Sequence, residues 1–343
     1  MALDIEWYDF VCFGIVGVAF IGALWILYRH EGISGGSGIS AGDSFEGLLR
    51  SRRKLARTDG HVGTDCLWTS CWKGVHPGCL LVTRFVSFLA MVGFLYWDVM
   101  DSGASVFIYY TEWTFALVIV YFGLGTIVSA HGCWLHTIRK SSSSENKAID
   151  DLPRIDPEES VSVTSNDYNG DGDAGINGNK STEGYGEEGF LGRAGFWGYL
   201  MQITYQTSAG AVVLTDIMFW CIIAPFLSIA HVRLNWLMGC MHTLNAVFLL
   251  IDTGLNNLPF PWFRLAYFII WSCTYVLFQW VIHACGFSWW PYPFIQLNTP
   301  WASLSYFALA VVHIPCYGIF ALIEKVKTTI LPRLFPHAFV RSN

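Results

Sequence analysis

The stretch from Asn235 to Asn256, NWLMGCMHTLNAVFLLIDTGLN, is apolar enough to cross a bilayer yet carries polar residues that do not belong in lipid. Read with a period of about 3.5 residues, Asn235, Met238, His242, Asn245, Leu249, Asp252 and Asn256 share one face of a helix. Ionisable groups at membrane depth are costly and face a bundle interior or a cavity. The sequence therefore predicts a helix with a buried polar face and His242 near its middle, and the rest of the chain as the housing for that face.

Other apolar runs of similar length define the class. With 53% hydrophobic and only 13% charged residues, the 343-residue chain fits a multi-spanning membrane protein and not a soluble domain. The expected spans are 11–27, 80–96, 106–128, 209–229, 235–256, 265–285 and 303–323. The net charge of -6 is no guide to topology, because most of the acid lies in one loop. Local Lys and Arg are the guide.

Before the first run the chain is acidic, and Tyr28-Arg29-His30 follows it, the reverse of a cleaved secretory signal. The chain then divides into a first span (1–28), a basic cytosolic loop (29–79), spans two and three (80–135), an acidic Ser/Gly-rich disordered cytosolic loop (136–193), spans four to seven (194–325) and a cytosolic tail (326–343). The cluster Arg50, Arg52, Arg53, Lys54 and Arg57 puts the first loop inside, and Lys325, Lys327, Arg333 and Arg341 do the same for the tail. The expected fold is all-α: a multi-pass transmembrane bundle of about seven spans, a six-span core plus an extra N-terminal span, with the N-terminus out and the C-terminus in.

Metal readings carry little. His61, Cys66, Cys71, His76 and Cys79 lack a Cys-x-x-Cys pair, and free thiols or juxtamembrane acylation suit them better. Asp167, Asn169, Asp171, Gly172 and Asp173 imitate half a calcium loop, but Gly178 stands where its final Glu belongs. His131 with His313 is the nearest approach to a haem-ligating pair. The ten cysteines form no disulfide framework. No metal, cofactor or nucleic acid is expected, and the oligomeric state stays open.

Depth suggests a site. His242 lies seven residues into span five, about 10 Å at about 1.5 Å per residue, and Thr111 five residues into span three, about 7–8 Å. His283 is slightly shallower. A hydrolase needs a hydroxyl nucleophile, a base and oxyanion donors, and Thr111 and His242 supply the first two. Each also has a plain structural reading, a Thr bonded to its own helix backbone and a His joining helices.

The segment LNWLMGCMHTLNAVFLLID, the later WVIHACGFSWWPYPF and the upstream YYTEWTF resemble, in that order, the family of the androgen-induced and androgen-dependent TFPI-regulating proteins. The likeness covers about residues 80–325, and the extra first span and long third loop look closest to the family's rolling-stone-like branch. The resemblance implies a membrane threonine hydrolase of fatty-acid esters of hydroxy fatty acids, with Thr111 as nucleophile and His242 as its partner. His283 matches a family histidine, and with Asn245 and Trp113 it is a candidate for contacting substrate. Glu112-Trp113 after the Thr departs from the animal enzymes.

Two functions follow as expectations. One is an intramembrane lipid-ester hydrolase acting among membrane lipids, in the plasma membrane or the endoplasmic reticulum. The alternative is a non-catalytic scaffold or fusion-related factor that uses the basic cluster and the long loop. A receptor reading lacks an acidic-Arg-aromatic switch after span three and an Asn-Pro pair in span seven, and a transporter reading lacks repeated halves.

Overall fold

The structure is a computed structural model that describes residues 6–32, 63–150, 195–225, 236–297 and 299–339, with side chains excepted over 142–150. Asn235, the 50–57 cluster, His61 and the calcium-like segment 167–178 lie outside the described residues.

Seven helices are long and apolar enough to cross a membrane. They are α1 (Trp7–Leu27, closed by a π-turn Tyr28–Gly32), α2 (Pro77–Ser102), α3 (Tyr110–Asp150), α4 (Phe196–Met218, closed by a π-turn Phe219–Ile223), α5 (Trp236–Leu255), α6 (Leu265–Ala284) and α7 (Ala302–Leu334). The chain is an integral, multi-pass membrane protein whose regular structure among the described residues is helical, with no strand beyond isolated bridges such as that between Trp72 and Phe339.

Local chemistry sets the helix ends. Asp9 accepts the Glu6 backbone N–H at 2.9 Å in a capping box at the start of α1. Pro77 opens α2 behind His76, whose Nδ1 accepts the Gly78 N–H at 3.0 Å, and Gly103 ends it at φ 77°, a left-handed conformation that favours glycine.

Boundaries of α3 and α4 differ from the sequence expectation. α3 starts at Tyr110, because residues 104–108 form a tight 3-10 turn, and it continues to Asp150, well into the segment expected to be a linker. α4 starts at Phe196, thirteen residues before the expected span. Its first turns carry Gln202, Tyr205, Gln206 and Ser208, which lower the hydropathy but are buried in protein.

α4 is the central helix: it packs against α3, α5, α6 and α7. Over half of its apolar window is buried inside the protein (56%), against 17% for α1, which leans on α6 and α7 at the periphery. Gly210 lets α4 and α6 approach closely, since a Cβ there would lie 2.6 Å from the Phe268 ring.

One end of the bundle is closed by buried charge. Arg84 on α2 pairs with Asp252 on α5 at 2.8 Å and donates to Ser129 and to the Leu67 carbonyl, while Tyr121 and Asn256 donate to the other Asp252 oxygen. Lys327 on α7 pairs with Glu324 and caps the carbonyls of Thr253 and Asn256. Alongside, Glu31 of the first π-turn accepts from Arg264, Tyr199 and Tyr267, tying α1 to α4 and α6. The segments 63–76, 256–264 and 335–339 gather at this end, through Cys71 N–H to the Leu255 carbonyl and Lys73 N–H to that of Ala338. Residues 103–109, 285–297 and 299–301 cover the opposite end.

Candidate active site

Beneath these covering segments lies a cavity of about 620 Å³ free of protein atoms, part of it open to the surroundings. Thr111 from α3, His242 from α5, His313 from α7, Ser272 from α6 and Tyr292 from the covering segment all line it. Leu214, Met218, Val276 and Leu309 supply an apolar wall, and among the described residues no Lys or Arg lines it.

Thr111 is the second residue of α3, shallower in its helix than counting from Val106 suggested. The turn before it is held from α6: Tyr275 OH and Gln279 Nε2 both donate to the Ile108 carbonyl, at 2.8 and 2.7 Å. Trp113 Nε1 donates to the Phe107 carbonyl at 2.8 Å and the ring packs on Trp271, Tyr275 and Phe278. Thr111 Oγ1 is thus fixed where it meets the Tyr292 OH at 3.5 Å. Next to it, Tyr110 OH and Ser272 Oγ share a hydrogen bond of 2.8 Å.

His242 is buried and lies flat on Phe219, ring centroids 3.8 Å apart. Asp216 stands one turn before Phe219 on α4, so the same face of α4 offers a phenyl to the imidazole's plane and a carboxylate to its edge. His242 Nδ1 is 3.8 Å from Asp216 Oδ1, and neither atom has a hydrogen-bond partner among the described residues. Asn245, one turn along α5, lies beside the same carboxylate. The π-turn that begins at Phe219 is a feature that gathers at functional sites.

Of the residues expected at the site, the structure brings Thr111 and His242 to one cavity without a hydrogen bond between them among the described residues. His283, Asn245 and Trp113 stand outside its lining. His283 meets the Gln279 carbonyl through Nδ1 at 2.7 Å and the Trp289 carbonyl through Nε2 at 3.0 Å, and stacks on Trp290 at 3.6 Å, fastening the covering segment to α6. The polar stripe of α5 is buried at His242, Asn245, Leu249, Asp252 and Asn256, whereas Met238 is exposed and Met241 takes its place inside.

His131 and His313 do not face each other. His131 is exposed on α3 beside Trp134, twenty residues beyond Thr111, which is about 30 Å along a helix. His313 lies with Thr111 at the cavity. Among the described residues no three His, Cys, Asp or Glu side chains converge as metal ligands. Asp216, Ser272, Tyr292 and His313 are the site residues that spacing within single spans did not assemble. Compared with known protein families, with curated proteins and with solved structures, the chain matches none.

Proposed function

We propose that the protein is an intramembrane lipid-ester hydrolase with Thr111 as nucleophile and His242 as general base. The observation that carries this reading is that the two side chains line one largely apolar cavity, with Asp216 Oδ1 3.8 Å from His242 Nδ1. A carboxylate at Nδ1 favours the tautomer with its proton there, which leaves Nε2 as the base. Thr111 Oγ1 attacks the ester carbonyl, Nε2 takes its proton and passes it to the leaving alcohol, and water then hydrolyses the acyl-enzyme. Tyr292 OH, beside Oγ1, is placed to donate to the developing oxyanion.

The wall suits an acyl chain, and a lining with no Lys or Arg among the described residues suits an uncharged ester group. The resemblance to the androgen-induced family supports the same roles for Thr111 and His242. In the proposed topology the N-terminus is outside and the C-terminus inside, so the cavity opens toward the outer half of the membrane, and the buried charges seal the cytosolic end.

An active-site-directed fluorophosphonate tests the reading on the purified full chain. Labelling at Thr111 that disappears in both Thr111→Ala and His242→Ala supports it. Labelling that survives both overturns it. Loss of cellular function on deleting 141–190, with none for Thr111→Ala, would favour a scaffold.

A further inference from the structure

Among the described residues, His313 is the one imidazole at the cavity for which the Thr111–His242 pair leaves no task. Its Nδ1 sits 2.6 Å from the Leu309 carbonyl one turn back on α7. A carbonyl oxygen only accepts, so Nδ1 carries the proton and Nε2 keeps a lone pair. That arrangement turns Nε2 away from its own helix, and the ring is steadied against Phe268 with centroids 4.5 Å apart. Nε2 is buried and has no hydrogen-bond partner among the described residues, in a side chain only 8% exposed. A buried acceptor left unpaired is costly and calls for a partner. The partner must be a hydrogen-bond donor that enters the cavity.

We propose that His313 Nε2 binds the hydrolytic water and thereby makes it a catalytic residue of the second half-reaction, an inference that rests on the hydrolase reading. After acylation the alcohol has left with the Thr111 proton, and His242 is neutral again. Water then enters with one O–H donated to His313 Nε2 and the other to His242 Nε2. Its oxygen attacks the acyl carbonyl carbon as His242 takes a proton. The tetrahedral intermediate collapses by breaking the bond from that carbon to Thr111 Oγ1, which recovers its proton from His242. The fatty acid leaves with its new hydroxyl donated to His313. No oxidant, metal or further reactant is needed.

This division of labour makes acylation independent of His313 and deacylation dependent on it. The test uses the p-nitrophenyl ester of a medium-chain fatty acid with the full-length protein in lipid nanodiscs. His313→Phe keeps a ring against Phe268 and removes the acceptor. The expected result is a p-nitrophenol burst of one per protein and fluorophosphonate labelling as in the wild type. Steady-state turnover falls about 10–100-fold, and an acyl adduct on Thr111 accumulates in the intact mass. Hydroxylamine, which does not need the water site, shortens the life of that adduct. His313→Gln, which restores an acceptor, recovers part of the turnover and carries the test if the Phe variant does not fold. Wild-type turnover in His313→Phe, or a burst lost in step with the steady state in both variants, overturns the proposal. Absence of both burst and label in the wild type overturns the hydrolase reading itself, a separate result.

Discussion

Asp216 Oδ1 and His242 Nδ1 face each other across the α4–α5 interface at 3.8 Å, and neither has a hydrogen-bond partner among the described residues. The gap is beyond a hydrogen bond, and catalytic bonds are often this loose before substrate arrives. Asp216→Asn keeps the shape and removes the charge that stabilises an imidazolium. Fluorophosphonate labelling of Thr111 is expected to slow by about 10²–10⁴-fold with little change in thermal stability. Equal labelling rates in the variant and the wild type would leave Asp216 outside the chemistry.

Tyr292 contributes a hydroxyl from outside the spans. Burial pushes its phenol up to about 12, with the Thr111 hydrogen bond acting in the opposite sense. A phenol whose folded value lies above the ordinary value near 10 keeps its proton in the folded state. Its contribution to stability is complete below about pH 10 and is lost as pH rises to about 12. Tyr292→Phe should therefore weaken the alkaline loss of stability between those limits, read by thermal unfolding at successive pH values. If Tyr292 donates to the oxyanion, the same variant slows acylation by about 10²-fold near neutral pH. A variant with unchanged acylation would assign the hydroxyl to holding the covering segment only.

How much of this was legible in the sequence depends on whether the signal lay within one helix. The spans follow from hydropathy, and the buried side of α5 follows from its period, because both are properties of one segment. His242 was found that way. Asp216 is visible as an acid in an apolar run, but its pairing with His242 depends on how α4 is rotated against α5, which no single period encodes. Tyr292 belongs to a Pro- and aromatic-rich segment that reads as an interfacial belt. Its return over the bundle depends on His283 and the Trp289 carbonyl. His313 reads as a lone histidine mid-way along a span, and its place at the cavity with Thr111 depends on how α7 packs in the bundle, which its own segment does not encode. Arg84 is fully buried against Asp252, a pairing between α2 and α5 that neither segment encodes alone.

That ion pair yields a prediction about stability. Removing one partner leaves an uncompensated charge in the bundle, so Arg84→Met or Asp252→Leu alone should cost about 3–5 kcal/mol. Replacing both removes both charges, and the double variant should recover much of that loss. Asp252→Leu also leaves the buried Tyr121 hydroxyl and the Asn256 amide without their acceptor, so recovery is incomplete, and adding Tyr121→Phe removes one of the two orphaned donors. Additive losses in a detergent unfolding series would show that the two side chains act independently.

The close approach of α4 and α6 gives the last prediction and links packing to the cavity. A Cβ at Gly210 meets Phe268 at 2.6, 2.9 and 3.0 Å, all on the ring, and Phe268 is fully buried. The ring cannot swing clear without moving His313, whose centroid is 4.5 Å away. Gly210→Ala should then destabilise by about 1–3 kcal/mol through overpacking, although Ala is the better helix former. Gly93→Ala, where nothing lies within 4 Å, should be neutral or slightly stabilising. Trimming the obstacle in Gly210→Ala/Phe268→Leu should restore stability but not the seating of His313, so turnover of an acyl ester stays low while Thr111 still labels. If Gly210→Ala proves as harmless as Gly93→Ala, the helices are not in the contact described, and the support for His313 from Phe268 goes with it.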